Sequence, residues 1–230
     1  MIRKFYRGHS NNGGQGNNLL FHSFEFSEAM NLIRGWLKGA TFDEQIAVLD
    51  FVLESVREDV KTDLLTAILY YEVHFEESLQ TYLFPAFFYD ENGNQCKTYE
   101  ELTGTKTVSL SDDCVWVMPW DRSRLRDSIF KIFKEGFKQE RDNHRAYYYT
   151  HLDICHVVGG MHSAASAVAQ KKGFIEAQVV DISKMFDHVH TDGKCWYNSH
   201  DGTKLRDVDD FRIAIMFETA KMKHRLLVGK

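Results

Sequence analysis

The chain has 230 residues, of which 43% are hydrophobic, 27% charged and 13% aromatic, a composition that excludes a disordered, collagen-like or coiled-coil chain and requires a buried core. Its net charge of −5 divides into −9 before Met118 and +4 from there on, so an anionic ligand is steered towards the second half. No apolar run reaches the ~18–20 residues of a membrane helix and no apolar stretch follows the basic start; with four cysteines and no CxxC pair, a cytoplasmic protein with reduced thiols is expected.

Residues 10–18 hold four Asn and three Gly and read as a loop, since nothing there offsets the entropy of ordering it. Ser27 is placed to cap a helix with Met30, Ile33, Trp36 and Leu37 inward, ended by Gly39. A second helix begins at Thr41, where Ile46, Leu49, Leu53, Val56 and Val60 recur at helical steps. A third is expected over residues 62–82. These helices make residues 1–84 an acidic helical lobe, closed by Pro85.

Residues 85–230 change rhythm. Residues 87–89 form a short strand running into a turn at 90–94, and residues 115–118 a strand ended by Pro119. A basic helix follows over 122–137, with Leu125, Ile129, Ile132, Phe133 and Phe137 inward. Between Arg122 and Arg145 stand eight basic residues against four acidic ones, a surface for nucleic acid or an acidic protein. Strands at 147–149 and 154–158, a helix at 161–171, a strand at 174–181, a hairpin around the 198–202 turn and a closing helix complete an α+β chain. Its arrangement is an N-terminal helical lobe, a mixed-sheet lobe and a C-terminal helix.

The most informative segment is His156-Val157-Val158-Gly159-Gly160-Met161-His162-Ser163-Ala164-Ala165, a strand feeding a glycine pair and then a helix of small residues. The unpaired amides of a helix's first turn and its positive dipole end suit an anion, and glycines permit close approach. This stretch, continued to VVGGMHSAASAVAQKKGFIEAQVVD, resembles the core of the ParB and sulfiredoxin fold, and of the two it is nearer the sulfiredoxin pattern Gly-Gly-Cys-His-Arg-x-Ala-Ala. The resemblance extends over roughly residues 115–181. It implies a loop that binds the phosphates of a nucleotide, with Mg²⁺ as a companion ion, and relatives that include nucleases and small-molecule kinases.

Transferred by position, the phosphate cradle is Gly159, Gly160, Met161, His162 and Ser163. Met161 stands where sulfiredoxin chemistry needs a thiolate, and a thioether cannot take that part, so sulfinic-acid repair is not expected. Ser163 replaces the family arginine, losing a fixed charge and a bidentate grip, which Arg122, Arg124 or Arg145 would restore. If the chain is an enzyme, it transfers or hydrolyses a phosphoryl group. His162 would then stabilise developing charge, and Asp181, or alternatively Asp153, would activate the nucleophile.

Other clusters of reactive side chains stand elsewhere in the chain. His188 and His190 share a face if extended, with Asp187, Cys195 and His200 as further ligands, but no fixed pattern links them into a metal site. His151, Asp153 and Cys155 share one face of a strand, with Cys155 as a nucleophile. Glu218 lies on the apolar stripe of the last helix and calls for an arginine partner other than Arg212. Trp116, Trp120 and residues 147–149 offer rings for base stacking beside the basic helix, or core packing.

Overall fold

The structure, a computed structural model, describes residues 23–70 and 83–229. The expected Asn/Gly loop, and the part of the expected third helix beyond residue 70, lie outside them. Helix α1 (Ser23–Leu37) buries Phe26, Met30 and Ile33, one turn apart along a single stripe. Its start precedes the expected cap: Ser27 is inside the helix, its hydroxyl donating to the Ser23 carbonyl at 3.0 Å. Trp36 is exposed rather than inward.

Helix α2 (Phe42–Tyr70) opens with a capping box. The N–H of Thr41 donates to Glu44 Oε2 at 2.7 Å, and the N–H of Glu44 reaches back to Thr41 Oγ1 at 3.4 Å. It runs unbroken through residue 62, where a new helix was expected, because no glycine or proline interrupts residues 42–70.

Ten strands are described. A hairpin pairs β1 (Phe87–Tyr89) with β2 (Gln95–Lys97). The central sheet holds β3 (Glu100–Ser109), β4 (Cys114–Trp116), β5 (Arg145–Tyr149), β6 (Ile154–Gly159) and β7 (Phe174–Asp181), in the spatial order β3-β7-β5-β6-β4. Within it β4 and β6 are parallel neighbours, as are β5 and β7, while β5 and β6 are antiparallel. Helix α3 (Arg122–Glu135) follows β4, and α4 (Met161–Ala169) follows β6. A short helix α5 (Met185–His188) leads into a three-stranded sheet of β8 (Val189–Thr191), β9 (Cys195–Asn198) and β10 (Lys204–Asp207), and α6 (Phe211–Val228) closes the chain. The architecture is α+β.

Alternation along the strands sorts the core into two layers. Val115, Val117, Ala146, Tyr148, Cys155 and Val157 face one way, under Ile132 of α3 and Ala164, Ala165 and Ala167 of α4. Trp116, Met118, Tyr149, Ile154 and Val180 face the other way, into a core built with α1, α2 and α6. The helices before residue 84 and the last helix therefore share one core, and the change at residue 84 is one of secondary structure, not a division of that core.

Arg212 at the start of α6 joins a buried ion pair on its own helix to an exposed carboxylate on α2. Arg212 is 4% exposed and grips Asp210, itself 1% exposed, with Nη2 at 2.7 Å and Nε at 3.0 Å, while Nη1 reaches Asp59 Oδ2 on α2 at 3.1 Å. Asp210 also caps α6 by accepting the Arg212 N–H at 2.9 Å. Arg212→Met leaves a buried carboxylate without its cation and is expected to lower stability by about 3–5 kcal/mol in urea unfolding followed by circular dichroism. Asp59→Asn removes the exposed partner and is expected to lower it by less than about 1 kcal/mol.

Candidate functional site

The parallel strands β4 and β6 end on the same edge of the sheet, so α3 and α4 begin side by side. The two helix starts are finished differently. At α3 the Asp121 carboxylate accepts the N–H groups of Ser123 at 2.8 Å and Arg124 at 3.0 Å. At α4 the N-cap is Gly160 in the left-handed region (φ 67°), and no side chain caps the helix. The first intrahelical bond there is Ala164 N–H to the Gly160 carbonyl at 3.1 Å, which leaves the amides of Met161, His162 and Ser163 ahead of the ladder.

Both glycines serve internal packing. A Cβ on Gly160 would stand 2.4 Å from His144 Cδ2, and one on Gly159 would stand 2.6 Å from the Asn143 carbonyl oxygen. The space beside Gly160 is taken by the imidazole of His144, a residue that carried no signal in the sequence. Its Nδ1 accepts the Glu140 N–H at 2.9 Å, so its Nε2 bears the proton and donates to Ser163 Oγ at 2.7 Å, which in turn donates to the Gly160 carbonyl at 2.9 Å. Burial lowers the pKa of this ring, in keeping with its neutral, fully bonded form. The Ser163 hydroxyl expected in the cradle is thus committed to the loop itself.

His162 is committed in part. Its Nε2 accepts the Asp121 N–H at 3.0 Å, which places the proton of the neutral ring on Nδ1, the atom left to donate. Burial lowers its pKa against the opposing pull of Asp121. Trp120 packs edge-on to it with ring centroids 5.1 Å apart, and Arg124 lies 5.1 Å over the Trp120 ring.

The arginines expected to restore charge separate. Arg124 stands beside Trp120 at the loop, and Arg145 pairs with Gly159 in the strand register. Arg122 turns to α2, its Nε donating to the Ile68 carbonyl at 3.0 Å, and Arg145 lines a cleft on the face of the sheet turned away from α4.

The strand register does not bring together His162, expected to stabilise developing charge, and Asp181, expected to activate the nucleophile. Gly159 lies opposite Arg145 at one end of β5, whereas Tyr149 at the other end pairs with Val180. Asp181 is therefore separated from the glycine loop by roughly 15 Å of strand. Burial raising its pKa is outweighed by the Ser183 N–H at 2.7 Å and by His151 at 3.1 Å, so the carboxyl stays below the ordinary range.

Asp153 is at that same far end, held by the Tyr148 hydroxyl at 2.6 Å. Cys155 faces the α3/α4 core, fully buried, and burial pushes its thiol pKa up, which removes it as a nucleophile. His188 stacks on Phe88 from α5 and His190 on Tyr197 from β8, so they do not share a face. Among the described residues no group of three His, Cys, Asp or Glu is arranged to hold a metal ion. Glu218 pairs with Lys221 on its own helix at 3.6 Å, not with an arginine.

The cleft that receives Arg145 measures about 1510 Å³. Its floor is the β5/β6 surface of Tyr147, Tyr149, His156 and Val158, and residues 83–86, Phe88 and residues 96–102 wall it. His156 is 2% exposed and its Nε2 is buried with no hydrogen-bond partner. Burial lowers its pKa from 6.5 to about 4. Between those values the unfolded chain binds a proton that the native protein refuses, so stability, whole above pH 6.5, falls as pH drops through the window. The loss attributable to His156 is expected to reach roughly 3 kcal/mol by pH 4. It is checked by comparing urea unfolding of the wild type and His156→Phe across that range, the variant giving the flatter profile.

No curated protein and no solved structure matches the chain. No helix among the described residues is long and apolar enough to cross a membrane. A family model matches residues 8–228, nearly the whole length, and on that match the chain belongs to the Family of unknown function (DUF6710).

Proposed function

We propose that the protein binds a phosphorylated small molecule, a nucleotide being the leading class, at the junction of β6 and α4. The observation that carries this reading is the uncapped start of α4 beside the capped start of α3. Two helices follow adjacent parallel strands to one sheet edge, the position at which open α/β sheets take their ligands. Asp121 already supplies an anion to α3, whereas the amides of Met161, His162 and Ser163 await one from outside.

His162 Nδ1 and the Arg124 guanidinium stand beside them as the side-chain donors. The order of strand, glycine pair, alanine-rich helix and strand supports the resemblance to the ParB and sulfiredoxin fold. A phosphoryl-transfer or phosphodiester-hydrolysing activity would need a base other than Asp181, for the reason of distance given above. Asp121, the acid at the junction, has its Oδ1 occupied by Ser123 and Arg124, so a Mg²⁺ ion would have to arrive with the nucleotide's own oxygens as its main ligands.

Met161→Glu places a carboxylate in the first turn of α4, where the helix dipole favours it and an incoming phosphate is repelled. Thermal-shift measurements with ATP, CTP, GTP, UTP and their diphosphates, with and without Mg²⁺, are expected to show a rise in melting temperature with one base, abolished in Met161→Glu. The absence of any rise in the wild type would remove the reading.

A second reading, single-stranded nucleic acid on α3, is favoured by the exposed rings of Phe130 and Phe133, which lie under Arg126 at 4.9 Å and Lys172 at 5.3 Å. Ring faces beside cations are the ordinary platform for stacked bases. Anisotropy of a labelled single-stranded oligonucleotide is expected to show binding that weakens steeply between about 50 and 200 mM salt and is lost in the double variant Phe130→Ala, Phe133→Ala. Binding indifferent to both salt and the double variant would sink it.

A further inference from the structure

The geometry points to a second binding site, in the cleft over Tyr147 and His156, that accepts a fused-ring heteroaromatic molecule carrying one anionic group. It does not rest on the phosphate reading, because the cleft lies on the face of the sheet turned away from α4. Its volume of about 1510 Å³ exceeds the ~300–1,000 Å³ of ordinary ligand pockets, so a single ring would not fill it. Phe84, Tyr99, Tyr147 and Tyr149 line it, and Tyr99 and Tyr147 stand with ring centroids 5.8 Å apart and tilted by 48°. Flat ring systems are the shape that such side chains enclose best.

Two groups fix the chemistry of the occupant. His156 is 98% buried, being 2% exposed, with Nε2 lacking any partner in the protein. Buried polar atoms are nearly always bonded, and a neutral imidazole in an apolar floor exchanges hydrogen bonds with a neutral heterocyclic N–H or ring nitrogen rather than with a charge. Arg145, at the end of the cleft next to Gly159, is exposed and forms no ion pair among the described residues.

Lys97, Glu91 and Glu101 also line the cleft, on its exposed wall. Lys184 pairs with Glu100, and the Asp90 carboxylate accepts from Asn92 and Asn94 of its own turn. Of the cations on the cleft, Arg145 is the one on the floor strand beside Tyr147, and its planar guanidinium grips a carboxylate or phosphate through two parallel N–H bonds. The occupant is planar over Tyr147, hydrogen-bonded at His156 and anionic at Arg145.

The test uses three fluorescent probes with the full chain: pterin-6-carboxylate (bicyclic, carboxylate), flavin mononucleotide (tricyclic, phosphate) and riboflavin (tricyclic, uncharged). Polarisation and quenching are expected with at least one anionic probe and more weakly with riboflavin. Arg145→Ala, a surface change, is expected to weaken the anionic probes about tenfold and leave riboflavin unchanged. His156→Phe is expected to weaken all of them, and Met161→Glu none. Thermal melts followed by circular dichroism verify that the variants are folded.

A wild type that polarises no probe, or binding that survives both Arg145→Ala and His156→Phe, would overturn the inference. Loss confined to Met161→Glu would overturn it equally, by placing the probe at the α4 junction. Success here alongside failure of the nucleotide screen would leave the cleft standing and the phosphate reading gone.

Discussion

Strand β6 is closed to solvent along four consecutive residues, from Ile154 to Val157, and the layout of the described residues follows from covering it twice. A strand buried on both faces needs a layer on each side. The alanines of α4 let that helix approach one face closely, while α2 and α6, joined by Arg212 of α6 and Asp59 of α2, close most of the other. Arg57 adds a tie on that second face, donating from α2 to the Leu152 carbonyl at 3.1 Å just before β6 begins. Because these helices cover the face towards Ile154 and Val180, the remaining part, towards Arg145 and Val158, becomes the cleft.

Elements with a strong hydrophobic period were legible in the residues. The basic helix, the strands around Cys155 and Val179, the glycine junction and the last helix all announced themselves by spacing. Strand β3 did not: it is a sheet edge with nearly every residue exposed, held to β7 by backbone pairing and by Glu176, which accepts the Thr105 and Thr107 hydroxyls. A polar edge strand has no apolar period to detect. The continuity of α2 through residue 62 rests instead on an absence, since no glycine or proline stands between residues 42 and 70.

The candidate site was half legible. The uncapped helix start follows from Gly159 and Gly160, which are visible in the chain. What fills the space beside them does not follow, because His144 arrives from a loop nearly twenty residues earlier through contacts that no spacing encodes. The separation of His162 from Asp181 was equally hidden, because it depends on β5 and β7 being parallel while β6 runs against them. A carboxylate at the end of a strand serves a glycine loop only if both strands end on the same edge.

Three histidines close to this sheet illustrate how differently one residue type is used. His144 has both ring nitrogens bonded and is a structural rivet; His162 has one nitrogen bonded and one left over at a helix start. His156 is the most buried by side-chain environment, yet its Nε2 has no partner, and its register neighbour on β4, Trp116, likewise has a buried Nε1 with none. An unmade hydrogen bond on a buried polar atom costs about 1–3 kcal/mol, and leucine in place of His156 would avoid it. Local rules are broken in this way chiefly where a site requires it. The anomaly was visible as one polar residue in the run Ile154-Cys155-His156-Val157-Val158, but only the cleft above it separates a defect in packing from a hydrogen-bonding group left for a ligand.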